Sequence, residues 1–544
     1  MPQLQGRVVR LRGLCCRGMI LLLLFVLAAA GAVYQWRAIQ LRKAKFECHC
    51  PPRPYGIAPR EHAVIVGGGM SGMTSAAMLS KHFKRVTVLE RFKLPEGTDR
   101  TGCSKGRPQC LQIHGLVLKG LHIVEHYLPG FTELVQSKRG SSTFEWLTTF
   151  AWISAGKRVL LPEEGTCKPV MAVAAARAIY DSCLLQLTSK IPNVEIIPEA
   201  NVLSLIMEGT KCVGVTVRIK GDHGTKEEVE IRGEIVVNCS GRNGNTVKWM
   251  EDAFASAGME MPKYTTELRH DQLHYATATF QHREGLPKPA HGAFYEQPDW
   301  YRGTHKGVLY QPAGEGRVTM LRFGYGPDVN IQSSHESTHA WVEGFTMRDE
   351  FRKIFTWDIV EPWLLYNDTP QYFRHFEEME VFLENFYCLG ASVVKLDPSY
   401  GQGMTHALVT VRELEKVLVR RWLEEPCRDY CGTSRELAEA VSKLSVVYYA
   451  AGADNIMRPF VEDKAGIKDV AQAYFMYHFL GSMFSSLEGS ITFNLFVHGL
   501  VTEADVFRPR WMLPALWLCA KDLFAAAQAR WKGRSGASQT KKSS

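Results

Sequence analysis

The apolar residues of the chain fall into runs whose spacing predicts regular elements. His62 to Gly67 (HAVIVG) is short, unbroken and rich in β-branched residues, the pattern of a strand buried on both faces. Gly67-Gly68-Gly69-Met70-Ser71-Gly72 follows, and Met73 to Phe83 (MTSAAMLSKHF) has helical spacing. Arg85 to Leu89 (RVTVL) predicts a second strand, closed by Glu90. From Val194 to Ile235, alternating segments predict an antiparallel meander leading back to this first unit. Leu273 to Phe323 (LHYATATFQ, GVLYQP, RVTMLRFGY) predicts a further sheet. Thr405 to Trp422 and most of Ser434 to Trp531 read as helix. Met19 to Val33 is apolar without interruption. With Gly18 and Tyr34 it reaches the lower limit of a spanning helix, about 17 residues.

The glycine segment carries chemistry because of what surrounds it. Gly67 permits the tight turn from strand to helix. Gly69, lacking a Cβ, lets the backbone approach a pyrophosphate, and Gly72 lets the helix pack closely on the strand. The helix start offers free N–H groups and the positive end of a dipole to that pyrophosphate. Glu90 is placed to accept hydrogen bonds from the adenosine ribose and would repel a 2′-phosphate, which favours FAD or NAD over NADP. The competing reading is a glycine turn in an unrelated α/β protein. Against it, strand, glycines, helix, second strand and acid occur in order within about 30 residues.

Composition narrows the picture. A chain of 544 residues with 46% hydrophobic and 22% charged residues suits two or three globular units. The net charge of +8 matters for its location. Arg7, Arg10, Arg12 and Arg17 precede the apolar run, and Arg37, Arg42, Lys43 and Lys45 follow it. That arrangement suits a membrane surface, and no basic stripe interleaved with aromatics points to nucleic acid. Met19 to Val33 reads as an uncleaved anchor. A cleaved signal peptide with Ala30-Gly31-Ala32 as its cleavage site is the alternative. The closing KKSS resembles a dilysine retrieval signal, which implies the endoplasmic reticulum. Trp511 to Trp531, interrupted by Pro514, Lys521 and Asp522, reads as an interfacial helix. The 14 cysteines are scattered, without zinc spacing, and no metal site, nucleophile elbow or Walker loop is predicted.

Further segments separate FAD from NAD. They are Gly106-Arg107-Pro108-Gln109 with His114-Gly115, then Val236-Val237-Asn238-Cys239-Ser240-Gly241-Arg242. Gly390-Ala391-Ser392 and Asp397-Pro398-Ser399-Tyr400-Gly401-Gln402-Gly403-Met404 complete the set. Together they resemble the FAD-dependent monooxygenase and epoxidase-like superfamily, with its hydroxybenzoate-hydroxylase type of fold, over roughly residues 60 to 510. The resemblance implies that Gly67, Gly69, Ser71, Gly72, Glu90 and Arg91 hold the ADP half of FAD. It places Arg107 and Gln109 along the ribityl chain or ring face, Arg177 near the phosphates, and Gly390 beside the cofactor. It makes Gly401, Gly403 and Met404 the start of a helix aimed at the flavin N1–C2=O edge, the alternative being a plain glycine turn and cap. Two departures stand out. Gly390-Ala391 replaces Gly-Asp, whose Asp holds the ribityl chain in the family, and Ser392 is the candidate substitute. Ser240-Gly241 replaces Asp-Gly, which puts direct NADPH use in question.

The expected fold is therefore α/β (α+β). A Rossmann-like FAD-binding domain (60–265 and 380–425) would carry an inserted antiparallel-sheet substrate domain (266–379) and a helical C-terminal region (426–531). A basic segment (1–18) and an anchor (19–35) precede them, and a polar tail (532–544) follows. The expected function is an FAD-dependent oxidoreductase, foremost a monooxygenase of a hydrophobic small molecule. A reductase or dehydrogenase of an isoprenoid-like or lipid substrate is the runner-up, and a degenerate flavin fold with a binding role is the third reading. NADPH or a separate reductase would supply electrons, and a membrane is the expected partner. Catalytic residues are not identified; His114, Tyr310, Arg374 and His406 could face the pocket, and for each histidine and tyrosine a structural hydrogen-bonding role is the favoured reading over catalysis.

Overall fold

The computed structural model describes residues 59–540, apart from 95–111, 155, 221–225, 243, 270–272, 300–303, 327–328, 330, 332–333, 368–369, 399–400, 425–429 and 451–465. At its centre lies a five-stranded parallel sheet in the order Phe386–Cys388, Ile235–Asn238, Arg60–Val66, Phe83–Leu89, Val194–Ile197. Ile65 pairs with Val237 on one side and Val88 on the other. Ala63, Val64, Ile65, Val236 and Val237 are fully buried, which is why these strands read as continuous apolar runs. The helix Met70–Leu79 packs on this sheet with every residue buried. It starts three residues earlier than the spacing predicts, because Gly69 is its N-cap and Gly72 lies within its first turn. The helix Gly403–Glu424 covers it.

The meander is present as Asn201–Glu208, Lys211–Lys220 and Lys226–Arg232. The expected substrate sheet is also present, with seven strands. Their order is Asp358–Asn367, Leu273–Gln281, Arg317–Tyr325, Lys306–Pro312, Ala293–Glu296, Phe150–Ser154, Lys157–Arg158. Its last two strands come from within the segment expected to belong to the FAD-binding domain. Phe150–Ser154 is buried at every position and pairs parallel with Ala293–Glu296, so it lacks the polar alternation that marks a half-exposed strand. A further three-stranded sheet has the order Ile113–Leu116, Met171–Ala176, Ser141–Glu145.

The C-terminal region is helical, as expected: Thr433–Ala450, Ile467–Phe484, Leu487–Val497 and Pro509–Thr540. The last helix runs past residue 532, the expected start of the polar tail. These helices share one apolar cluster with Phe150, Trp152, Tyr295 and Phe323 of the seven-stranded sheet, through Phe479, Met483, Phe493, Trp511 and Ala515. Among the described residues, no helix is long and apolar enough to cross a membrane. Met19 to Val33 and the closing KKSS lie outside the described residues.

Candidate functional site

The glycine turn joins the first strand to the first helix at the carboxyl end of the parallel sheet. Gly67 has φ +103°, and a Cβ there would stand 2.5 Å from the Cys239 carbonyl oxygen. Gly72 is equally constrained, since its Cβ would overlap the carbonyl of Gly67. Gly69 is the opposite case. An added Cβ would meet nothing within 4 Å, so this face of the turn opens onto free space. The first N–H groups of the helix lack intrahelical partners and lie at that opening. Glu90 is buried at the end of the second strand. One of its carboxylate oxygens accepts from the Gly68 N–H (2.8 Å) and the other from the Phe92 N–H (3.0 Å). The carboxylate lines the adjoining cavity, where it is placed to accept from a sugar hydroxyl. The neighbouring strand end is fixed by Asn238, whose side chain donates to Thr246 (2.9 Å) and accepts from the Ser240 hydroxyl (2.6 Å). Asn238 is fully buried, so the Asn-x-Ser triplet it begins is no surface acceptor.

A cavity of about 470 Å³ opens from this turn. Gly67, Gly69, Ser71, Glu90 and Arg91 line one end, with Ser240, Gly241 and Arg242. Its waist is formed by His114, Gly115, Arg177, Ala391, Gly401, Gly403 and Met404. Gly401 turns with φ +64°. The 22-residue helix Gly403–Glu424 begins there, so its N–H-rich end faces the waist. Arg177 starts another helix and is held by an Nε–H bond to Asp181 (2.8 Å). Nine of the predicted residues thus converge on one space: Gly67, Gly69, Ser71, Glu90, Arg91, Arg177, Gly401, Gly403 and Met404. Gly72 and Gly390 stand behind its wall, Gly390 with φ +58° against Ala407. Arg107 and Gln109 lie outside the described residues.

The remaining end is aromatic and was not anticipated. Phe144, Trp146, Phe150, Trp152, Tyr295 and Phe323 line it, with Leu309 and Leu321. Trp146 stacks on Phe150 with ring centroids 3.9 Å apart, and its indole N–H donates to Asn494 (2.7 Å). Tyr325 also lines the cavity; its hydroxyl lies 3.1 Å from both oxygens of the buried Asp397 carboxylate. The density of aromatics between 144 and 152 was the available signal.

Several expectations need correction. Ser392 does not face the cavity. It is buried and donates to the carbonyls of Leu389 (2.8 Å) and Asn238 (3.2 Å), which ties two strand ends together. The family's Asp position is therefore a methyl group, Ala391, lining the cavity. Of the four candidate pocket residues, His114 alone lines it. Burial, aided by the Arg177 charge, lowers its pKa to about 4, so the ring is neutral at neutral pH. Tyr310 points to the other face of its strand and donates to the His291 carbonyl (3.0 Å). Arg374 donates to the Ser392 carbonyl (2.7 Å). His406 bonds Ser445 (2.8 Å), with its pKa lowered to about 4 by burial.

Residues 65–94 match the family described as an NAD(P)-binding Rossmann-like domain. Protein Rv3254 of Mycobacterium tuberculosis (strain ATCC 25618 / H37Rv) is 22% identical over 373 residues, covering 67% of this chain and 74% of the relative. Among solved structures, the flavin-dependent brominase Bmp2 is similar with a TM-score of 0.55 at 14% identity, covering 85% of this chain and 99% of the other. A flavoprotein/dehydrogenase from Cytophaga hutchinsonii is similar with a TM-score of 0.54 at 14% identity, covering 86% and 100%. The chain shares its overall fold with these flavin-dependent proteins.

Proposed function

We propose that this chain is an FAD-dependent oxidoreductase, and foremost a monooxygenase of an apolar small molecule. One observation carries the reading. A glycine turn with open space at Gly69, a buried acid one strand away and the N-terminus of the Gly403–Glu424 helix all face the same cavity, which continues into an aromatic chamber. The residues present fit FAD. Gly69 and the following N–H groups would take the pyrophosphate, Glu90 the ribose, and the Gly403 helix start the edge of the ring where negative charge builds on reduction. FAD, when bound, supplies the redox step and the activation of oxygen. The protein's part is to orient the substrate against Trp146, Phe150 and Trp152 and to exclude water there. Arg91, Arg177 and Arg242 lie at the nucleotide end or waist, and Lys395 follows Ala391 of the waist, so the aromatic chamber takes an uncharged ligand. The absence of Asp at position 240 supports delivery of electrons by a separate reductase rather than by directly bound NADPH. The membrane assignment rests on Met19 to Val33 and on the last helix.

A second reading is a reductase or dehydrogenase of an isoprenoid-like chain. It is favoured by the chamber walls, which are aliphatic and aromatic and offer few hydrogen bonds to a substrate hydroxyl. Turnover under isotopically labelled oxygen separates the two. Label in the product supports the monooxygenase, and unlabelled product with oxygen left unconsumed rejects it.

A further inference from the structure

The helix Pro509–Thr540 has two apolar faces, of which the fold uses one. Trp511, Ala515 and Cys519, four residues apart, are buried, Trp511 and Ala515 in the cluster shared with Phe479 and Met483. Leu513, Trp517 and Phe524 form a second stripe and are 62%, 62% and 65% exposed. The start of a neighbouring helix extends this patch. Leu487 is exposed, and Glu488 beside it pairs with Arg510 at 2.5 Å. Large apolar side chains contiguous on one face are disfavoured in water and mark a surface that something covers.

The charges identify what covers it. Lys521 sits on the stripe, its Nζ 5.3 Å from the centre of the Trp517 ring. From Arg508 to the last residue the sequence has eight Lys or Arg and one acid, Asp522; Arg508 and Arg510 are paired with Asp505 and Glu488, which leaves six cations against that one acid. Asp522 is half-exposed and is engaged by the neighbouring helix, accepting from the Tyr474 hydroxyl at 2.6 Å and pairing with His478 at 3.3 Å. Tryptophan and lysine beside an apolar stripe match the interface of a bilayer, where the ring sits among headgroups and the lysine stem reaches up to phosphate. A second copy is a poor fit, because a two-fold contact of this face would set like charges against each other. We propose that the outer face of this helix, through Leu513, Trp517 and Phe524, docks on an anionic lipid bilayer. The inner face of the same helix belongs to the cluster that includes Phe150, Trp152, Tyr295 and Phe323. If the proposed function holds, docking therefore keeps the aromatic chamber next to a reservoir of apolar substrate.

The test uses the full chain with p-benzoylphenylalanine in place of Phe524, mixed with vesicles of phosphatidylcholine with or without phosphatidylserine. Illumination should yield a phospholipid adduct on the peptide containing position 524, more abundant with phosphatidylserine. The readout reports on this face, and substitutions on the face separate docking from tethering by an N-terminal anchor, which they leave intact. Adding Leu513→Glu and Trp517→Glu should lower the adduct yield by about tenfold, since each removes a large side chain from the apolar stripe. Adducts to a second copy or another protein, or no lipid adduct, overturn the proposal. Flavin content read by absorbance in the same samples reports separately on the cofactor reading.

Discussion

The contrast between Gly69 and Gly72 gives the sharpest mutational prediction. A side chain at Gly69 enters open space, while a Cβ at Gly72 overlaps the carbonyl of Gly67. Gly69→Asp should therefore leave the cofactor-free protein folded. Aspartate is a favoured N-cap, and its apo stability should stay within about 1 kcal/mol of the parent. Its carboxylate would stand where the pyrophosphate must lie. Two unit charges about 4 Å apart at an effective dielectric of about 20 repel by about 4 kcal/mol, and each ~1.4 kcal/mol is tenfold in affinity, so FAD should bind about a thousandfold more weakly. Gly72→Ala acts on folding instead. The clash is with backbone rather than a flexible side-chain end, so a loss of about 3 kcal/mol, the upper range for overpacking, is expected. The assay is the flavin-to-protein ratio after purification, with urea unfolding of the apo forms. Stoichiometric flavin in Gly69→Asp, or equal destabilisation by both substitutions, would refute the placement of the pyrophosphate at this turn.

Other outcomes follow from the same geometry. His114, His406 and His498 have pKa values lowered by burial to about 4, 4 and 3, so below the ordinary value of 6.5 the unfolded chain binds protons that the folded chain does not. Stability is thus fully present above pH 6.5 and falls as pH drops toward 4, by about 1.4 kcal/mol per histidine per pH unit; His406→Asn should reduce that slope by about one proton in urea unfolding at pH 5 to 7. A slope unchanged in this variant would contradict a neutral, buried His406. Tyr325→Phe removes the donor to buried Asp397 and should cost about 1–3 kcal/mol, whereas Tyr325→Phe with Asp397→Asn should recover part of it. Trp146→Ala removes the stack on Phe150 and the bond to Asn494; it should raise KM for an apolar substrate with less effect on flavin content, measured by steady-state kinetics and absorbance.

The parts of the site that could be read from sequence are those fixed by local spacing. Gly67, Gly69, Gly72 and Glu90 belong to one strand–turn–helix–strand unit, although the Cys239 carbonyl that crowds Gly67 comes from far along the chain. The start of the Gly403 helix was legible for the same reason. The parts that were not legible depend on which face an element turns inward and on partners far away in sequence. Leu309 and Gln311 line the cavity, so Tyr310, one residue out of phase on the same strand, must face away. Gly403, Met404 and Ala407 face the cavity, and His406 falls on the other side of that helix. The aromatic chamber joins Phe144 to Trp152 with Tyr295 and Phe323, and the Tyr325–Asp397 contact spans 72 residues. No periodicity within one segment encodes those pairings. Ser392 shows the complementary error: a hydroxyl in the right segment is already occupied by two backbone carbonyls.

The most direct test of the central claim is the absorbance spectrum of the purified full chain in detergent, with its cofactor released and identified by chromatography and mass. The structure predicts a flavin spectrum and FAD at close to one per chain. A protein that is colourless as purified, and stays so after incubation with FAD and removal of the excess, would contradict it.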